Sequence, residues 1–456
     1  MRHLRPHVFA LIALALPLIG ANLARVMIGV TDTLIVGRYG VEALAALVLA
    51  TSYHFILFML GSGYAIGLMG VLAAALARGD EVEVRRATRM ALWISALHSL
   101  AVLPLTWWSG PILLALGQEP RVAELAQEFL RIYGFATVPL LWGMVLNSYL
   151  ANFGRANVVL WVTLAGLPLN VLLVLALVFG RWGAPQLGIA GAAIAGLIVN
   201  WLIVAALFAY AVWLPKARRF ELMRNPWRPD WPAFRQVFAL GLPVGLTLVA
   251  ETGMFTGANV MMGWLGPTPL AAHGIALQLS SLAFMVHLGL GSAATIRVGE
   301  AAGRGDTQRI RDSAWAAIVL SVAVSSTAAA VFVLAPRFLA GLYLEEVNPA
   351  TPAIMALAAT LMLWAALFQL ADGLQALALG LLRGVQDTRA PMLIATIAYW
   401  VVGLPVGYIA AFPLGFGPQG IWFGLLLGLA VAAVLLMRRF WGGLSRGGWT
   451  LAGSAA

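Results

Sequence analysis

The sequence has no cysteine among its 456 residues, which removes disulfides, thiolate metal sites and cysteine nucleophiles from consideration. Charge is almost as scarce. Only 10% of residues are Asp, Glu, Lys or Arg, against about a quarter in a typical soluble chain. The six histidines, His3, His7, His54, His98, His273 and His287, are scattered without the spacing of metal ligands. Catalytic patterns are missing too. The "GSG" at 61–63 has no histidine at an activating distance, and "GLGSAA" at 289–294 follows no strand, so it is not a phosphate loop. Intramembrane proteolysis or acyl transfer would need an aspartate pair, a His–Asp set or an activated serine, whereas Asp32 and Asp372 fall in different halves of the chain. An enzyme is therefore not expected.

What the sequence does have is apolar length. It is 62% hydrophobic, with a mean hydropathy of +0.91. Splitting it at charged loops and Gly/Pro clusters leaves twelve apolar segments, near 8–36, 44–77, 88–117, 124–150, 156–180, 187–214, 234–264, 270–302, 310–336, 350–381, 390–413 and 418–440. Each is long enough to cross about 30 Å of hydrocarbon as a helix. The expected fold is an all-α polytopic membrane protein. No cleavable signal pattern precedes the first segment, so that span is expected to be retained. The net charge of +10 does not point to nucleic acid, because the arginines sit in short alternating loops instead of on one amphipathic surface. The other side of those loops holds only Arg38, Arg121, Arg131, Arg181 and Arg337, with Arg25 inside a span. That asymmetry predicts both termini in the cytoplasm.

The stretch "LPKARRFELMRNPWRPDWPAFRQ" at 214–236 is the longest polar segment and cuts the chain near its middle. The two sides resemble each other. A shift of 226 positions puts Leu16-Pro17 on Leu242-Pro243, Gly40 on Gly266, Gly63 on Gly289 and Arg78-Gly79-Asp80 on Arg304-Gly305-Asp306. Two parallel, pseudo-symmetric halves with a cleft between them are a transporter design. The expected organisation is a six-helix lobe at 1–214, a cytoplasmic linker at 215–233, a second six-helix lobe at 234–441 and a disordered cytoplasmic tail at 442–456.

Three acidic residues stand within apolar helical sequence: Asp32 in "MIGVTDTLIVG", Glu251 in "GLTLVAETGMFTG" and Asp372 in "LFQLADGLQALALG". A carboxylate at mid-membrane costs about 2.5–3.5 kcal/mol on the lowest scale. It persists where it faces a polar cavity or a partner, or carries a proton or metal ion. Proton or sodium coupling uses that property. The structural alternative is an ion pair that locks two spans. Arg25 is the candidate partner, since the 226 shift places it on Glu251. Asn170 follows Pro168, which should free a carbonyl of the preceding turn, and is a candidate neighbour for an acid. Asn147, Gln278 and Gln369 are further amides in or beside spans, able to bond between helices. Met27 and Met254 lie on the spans opening each half, where a flexible thioether suits apolar ligands.

The stretches "VTDTLIVGRYG", "LAAHGIALQLSSLAFM" and "DGLQALALGLLRGVQDTRAPM" resemble the multidrug and toxic compound extrusion (MATE) family, in its NorM-like branch, and the resemblance runs from about Pro6 to Arg439. It implies two six-helix lobes enclosing a V-shaped cavity. It also implies antiport driven by protons or sodium, with cationic, amphipathic drugs leaving the cytoplasm of a bacterial-type inner membrane. No cofactor is implied beyond the coupling ion; the partners are small cationic substrates and membrane lipid, and a monomer is expected. By the same resemblance Glu251 and Asp372 match the coupling acids, where sodium would bind, and Asp32 matches the N-lobe aspartate. Phe368 replaces an aromatic hydroxyl one turn before Asp372, Val174 replaces a second acid of some relatives, and Gly196 replaces a threonine that helps ligate sodium in some members. These losses favour protons over sodium. The same fold elsewhere flips lipid-linked saccharides or exports polar metabolites, but such a groove would show several arginines for diphosphate, and away from the span ends Arg25 stands alone.

Overall fold

The computed structural model describes residues 5–213, 221–222, 227–344, 350–447 and 449. Twelve helices in it are long and apolar enough to cross a membrane. They are α1 (Arg5–Tyr39), α2 (Val41–Arg78), α3 (Glu81–Trp107), α4 (Pro120–Asn152), α5 (Ala156–Phe179), α6 (Gly188–Trp213), α7 (Trp231–Trp264), α8 (Pro267–Gly303), α9 (Thr307–Leu334), α10 (Thr351–Gly384), α11 (Arg389–Ala411) and α12 (Pro418–Ser445). Among the described residues there is no strand. Each helix answers to one expected span, and the chain is a multi-pass membrane protein.

The departures from the expected spans have local causes. The third span ends at Trp107, and Ser109–Ala115 forms a separate short helix, because Trp108 leaves helical geometry at φ −102° and ψ 33°. The ninth ends at Leu334, with Pro336 opening the short helix Pro336–Gly341; a proline ring fits a first helical turn but clashes inside one. In α11 the turn over Ala398–Gly403 widens to a π-helix just before Pro405, where the chain has no N–H to offer the ordinary ladder. The segment expected as a linker already becomes helical at Trp231. Its residues 215–220 and 223–226 lie outside the described residues. The tail expected to be disordered from residue 442 begins instead as helix, because α12 runs on through residues 442–445; beyond it, Arg446, Gly447 and Trp449 are described.

The duplicated Arg-Gly-Asp tripeptides are helix punctuation. Gly79 and Gly305 adopt φ of 74° and 69°, the left-handed conformation that ends a helix and that glycine adopts without strain. The next residue caps the following helix: Asp80 Oδ1 accepts from the Glu83 N–H at 2.8 Å, and Asp306 Oδ1 from the Arg309 N–H at 2.9 Å. One tripeptide thus terminates α2 and starts α3, and its copy terminates α8 and starts α9.

The described chain divides into two compact units. One is Leu16–Gly245; the other joins the described residues before Leu16 to those from Leu246 onward. The dividing points therefore fall inside α1 and α7. In the Leu16–Gly245 unit, the opening turns of α7 lie against α2 with little between the backbones. A Cβ on Gly67 would stand 3.1 Å from the Gly241 Cα, and one on Gly241 would stand 2.6 Å from the Tyr64 Cα. Beyond this seam a core of Leu68, Leu72, Val145, Leu146, Tyr149 and Leu150 joins α2 to α4. The other unit has its own seam between α8 and α10. Thr295 Oγ1 donates to the Gly380 carbonyl at 2.8 Å, and a Cβ on Gly380 would stand 2.6 Å from the Gly291 carbonyl oxygen. Small residues let membrane helices approach this closely.

Candidate functional sites

Each unit holds an acidic site within its apolar helices. In the Leu16–Gly245 unit, α1 presents Asp32, which is half-buried. The expected neighbour is in place: Asn170 Nδ2, on α5, donates to Asp32 Oδ1 at 2.5 Å. Asn170 is fully buried, and its own Oδ1 has no partner among the described residues. Tyr133 of α4 lies in the field of Asp32 and beside Asn200. Its ring is fixed by stacking on Phe129, with centroids 5.0 Å apart, and by an edge contact with His54, also at 5.0 Å. His54 in turn bonds Thr137 Oγ1 through Nε2 at 2.8 Å. Gly196, where some relatives carry a threonine, borders this ring. A Cβ there would stand 2.8 Å from Tyr133 Cε2, so the missing side chain is the space the tyrosine uses. Val174 is wholly buried in an apolar cluster with Val178 and Val36.

In the other unit, Glu251 on α7 and Asp372 on α10 are 7% and 2% exposed. The two carboxylates feel each other's charge, and Glu251 also feels Arg383 at the end of α10. Each acid keeps one buried oxygen without a hydrogen-bond partner among the described residues, Glu251 Oε1 and Asp372 Oδ1. Tyr399 sits within the field of Glu251, Asp372 and Arg383 and takes a hydrogen bond from Gln375 Nε2. The π-turn of α11 carries Tyr399 inward, where it is fully buried. The adjacent Trp400 Nε1 donates to the Ala250 carbonyl at 3.0 Å, tying α11 to the α7 turn that bears Glu251.

The remaining candidates spread out. Gln369 is fully buried with both amide atoms unpartnered among the described residues, one turn before Asp372. Phe368 is 1% exposed and packs edge-on against Trp422 and Phe255, at 5.5 and 6.1 Å. Met254 is wholly buried, whereas Met27 is 48% exposed. Gln278 is exposed and Asn147 half-buried, the latter with an unpartnered Oδ1. Arg25 is half-buried and makes no ion pair among the described residues. Arg383, Tyr399 and Tyr133 escaped the sequence reading. Arg383 stands next to Gly384 and reads as a loop cation; the tyrosines are ordinary aromatics in apolar helices, and only tertiary packing brings them to the acids.

A half-buried carboxylate in one unit and a buried carboxylate pair in the other, all within twelve helices able to cross a membrane, define a membrane transporter in which ionisable groups lie within the spans. The MatE family profile matches residues 17–176 and 243–409. A probable multidrug resistance protein NorM of Rhizobium meliloti (strain 1021) is 47% identical over 434 residues, 95% of this chain and 93% of that protein. A protein of the same description from Agrobacterium fabrum is 42% identical over the same share of each chain. Among solved structures, the eukaryotic MATE transporter AtDTX14 superposes with a TM-score of 0.85 at 21% identity, covering 98% of this chain and 99% of that one. A MATE protein in a bent conformation gives 0.86 at 19% identity, covering 96% and 95%. The chain belongs to the MatE family of membrane transporters, and it is not an enzyme.

Proposed function

We propose that the chain exports organic, cationic drugs from the cytoplasm of a bacterial-type inner membrane in exchange for a cation, a proton more readily than sodium, with both termini on the cytoplasmic side. The observation that carries this reading is the charge balance around Glu251, which shares its site with Asp372 and Arg383. Glu251 and Asp372 bring two negative charges into a nearly dry site and Arg383 brings one positive charge. Charged groups within spans are retained when they pair or serve an ion path. The set is one cation short of neutrality, so it suits one monovalent ion and releases it when its surroundings change. The names of the NorM relatives support drugs as the cargo.

The choice of proton rests on the ligands. Hard cations take several oxygens. Around Asp32 the structure offers Asn170 and Tyr133, while Gly196 and Val174 supply no oxygen from their side chains. No cluster of three or more His, Asp or Glu side chains forms among the described residues. Asp32, Glu251 and Asp372 carry the coupling. Asn170 supports Asp32, and Gln369, Phe368 and Met254 pack around the second site. Loading an acid from the outer side removes the anion that holds a cationic cargo, and the cargo's release precedes resetting of the transporter.

The test is efflux of a fluorescent organic cation from proteoliposomes, with pH and sodium gradients imposed separately. Transport is expected with the pH gradient alone, and Asp372→Asn, Glu251→Gln and Asp32→Asn are each expected to abolish or sharply reduce it. Wild-type rates in any of these variants would remove that residue from the scheme. Transport driven by sodium alone would overturn the choice of ion.

A further inference from the structure

His287 lies on α8, is 1% exposed, and is not one of the acids or of the side chains that line them. Two serines one turn apart on α9 hold its ring. Ser321 Oγ is 3.2 Å from Nδ1, and Ser325 Oγ is 3.1 Å from Nε2. The Ser325 hydroxyl also donates to the Gln369 carbonyl of α10 at 2.9 Å. A hydroxyl has a single proton. Having given it to Gln369, Ser325 can only accept from the ring, so Nε2 carries a proton. The ring makes no ion pair among the described residues, and an unpaired charge in so buried a place is costly. The imidazole is therefore neutral, and Nδ1 accepts from Ser321.

The chain of bonds ends beside an acid. Gly373 follows Asp372 directly, and a Cβ on it would stand 2.5 Å from Ser325 Oγ and 2.7 Å from His287 Nε2. Glycine is the residue that lets the pair reach α10 there. Gln369 and Gly373 are one helical turn apart, and Asp372 lies between them.

The repeat shows that this is not a packing device common to both halves. The 226 shift puts Ser95 and Ser99 of α3 on Ser321 and Ser325, but it puts Gly61 on His287. In the first half the histidine comes from the opposite helix. His98 of α3 reaches across Gly61 and bonds the Leu57 carbonyl at 3.0 Å. Ser95 Oγ is left buried with no partner among the described residues. The serine pair is present in both halves. The histidine that joins it to the next helix is present only in the half with Glu251 and Asp372.

We propose that His287, acting through Ser325, is a positioning residue that fixes the α10 turn carrying Gln369 and Asp372, and that it does so as a neutral imidazole protonated on Nε2. This rests on the coupling role of Asp372 proposed above.

The experiment combines spectroscopy with transport by the full chain. In protein labelled with 15N-histidine, with His287 assigned by comparison with His287→Gln, one protonated and one bare ring nitrogen are expected, the proton on Nε2. Ser325→Ala and His287→Asn, whose shorter amide falls short of Ser325, are expected to lower the maximal efflux rate roughly tenfold, the usual effect of losing one such bond. The KM for the organic cation should stay within about twofold, since neither residue is placed against cargo. His287→Gln, whose amide nitrogen can stand where Nε2 stood, is expected to restore most of the rate. Folding is checked for each variant by thermal unfolding, and the two variants are read together. A doubly protonated ring or an Nδ1 proton overturns the proposal. So do wild-type rates in folded Ser325→Ala and His287→Asn, or no recovery with glutamine. If those variants are unimpaired while Asp372→Asn is inactive, the positioning role alone fails. If Asp372→Asn transports normally, the coupling role fails and the purpose of the positioning with it.

Discussion

The bond between Asn170 and Asp32 is a place where a measured energy reports a charge state. Asn170 Nδ2 donates to Asp32 Oδ1 at 2.5 Å and is fully buried, so removing either partner is felt. A neutral interhelical hydrogen bond in a membrane protein contributes about 0.6 kcal/mol on average, whereas one to an ionised group contributes about 1.5–3 kcal/mol. The double-mutant cycle of Asn170→Ala and Asp32→Ala isolates this pair. Equilibrium unfolding of the purified protein in mixed micelles, repeated across pH, gives its coupling energy. At high pH, with Asp32 ionised, about 1.5–3 kcal/mol is expected. At low pH, with Asp32 protonated, it should fall towards about 0.6 kcal/mol. The pH at which half the difference is lost is the proton-binding midpoint of Asp32 in the folded chain. A coupling near zero at every pH would refute the reasoning, because the observed contact would then contribute nothing. A large coupling that ignores pH would show an aspartate that never takes up a proton, and with it no proton cycle at this site.

Four other substitutions have expected outcomes. Gly196→Thr drives a Cβ to 2.8 Å from Tyr133 Cε2, and the ring is held by Phe129 and His54. It should cost about 1–3 kcal/mol in an unfolding measurement, and Tyr133→Leu in the same chain should recover part of it. Gly380→Ala meets the Gly291 carbonyl oxygen at 2.6 Å and should lower the midpoint of thermal unfolding. Gly274→Ala on the same seam's other helix, with nothing within 4 Å of the new Cβ, should be neutral or slightly stabilising. Outside the spans, Asp230 is held below the usual carboxylate range by its hydrogen bond to Arg86. A lowered folded-state pKa makes a stabilising contribution that is present above the ordinary value near ~3.9 and lost as pH falls through the folded value. Asp230→Asn should therefore be less stable than wild type at neutral pH, and the gap should close in acid, read as thermal midpoints across a pH series.

The twelve spans could be read from the chain because the forces that make them are local, and the repeated tripeptides carry an equally local signal, although the sequence marked them only as a repeat. An apolar run of bilayer length has to be a helix, and Gly79-Asp80 and Gly305-Asp306 encode a stop and a start in adjacent residues. Asp32, Glu251 and Asp372 stood out because a carboxylate in an apolar run is itself a local anomaly. Their surroundings were less legible. Asn170 was found through a proline two residues earlier, but Tyr133 lies on a helix distant in sequence, and Arg383 looked like one more loop cation. The 226 shift sets Arg25 on Glu251, but the two fall in different units; within its own unit Glu251 lies in the field of Arg383, near the cytoplasmic end expected for α10. The two halves share the helix punctuation of Gly79-Asp80 and Gly305-Asp306, but not the helix on which a polar side chain is mounted. The two histidines make the same point. His98 and His287 each cross the interface between the second and third helices of their half, but from opposite sides. A buried polar group is constrained by the partners it must reach, and either helix can supply it. That freedom lets one half of a duplicated fold join its histidine to the helix bearing Asp372 while the other half ties its own to a neighbouring carbonyl, so the halves can share one architecture while only one of them couples a histidine to an acid.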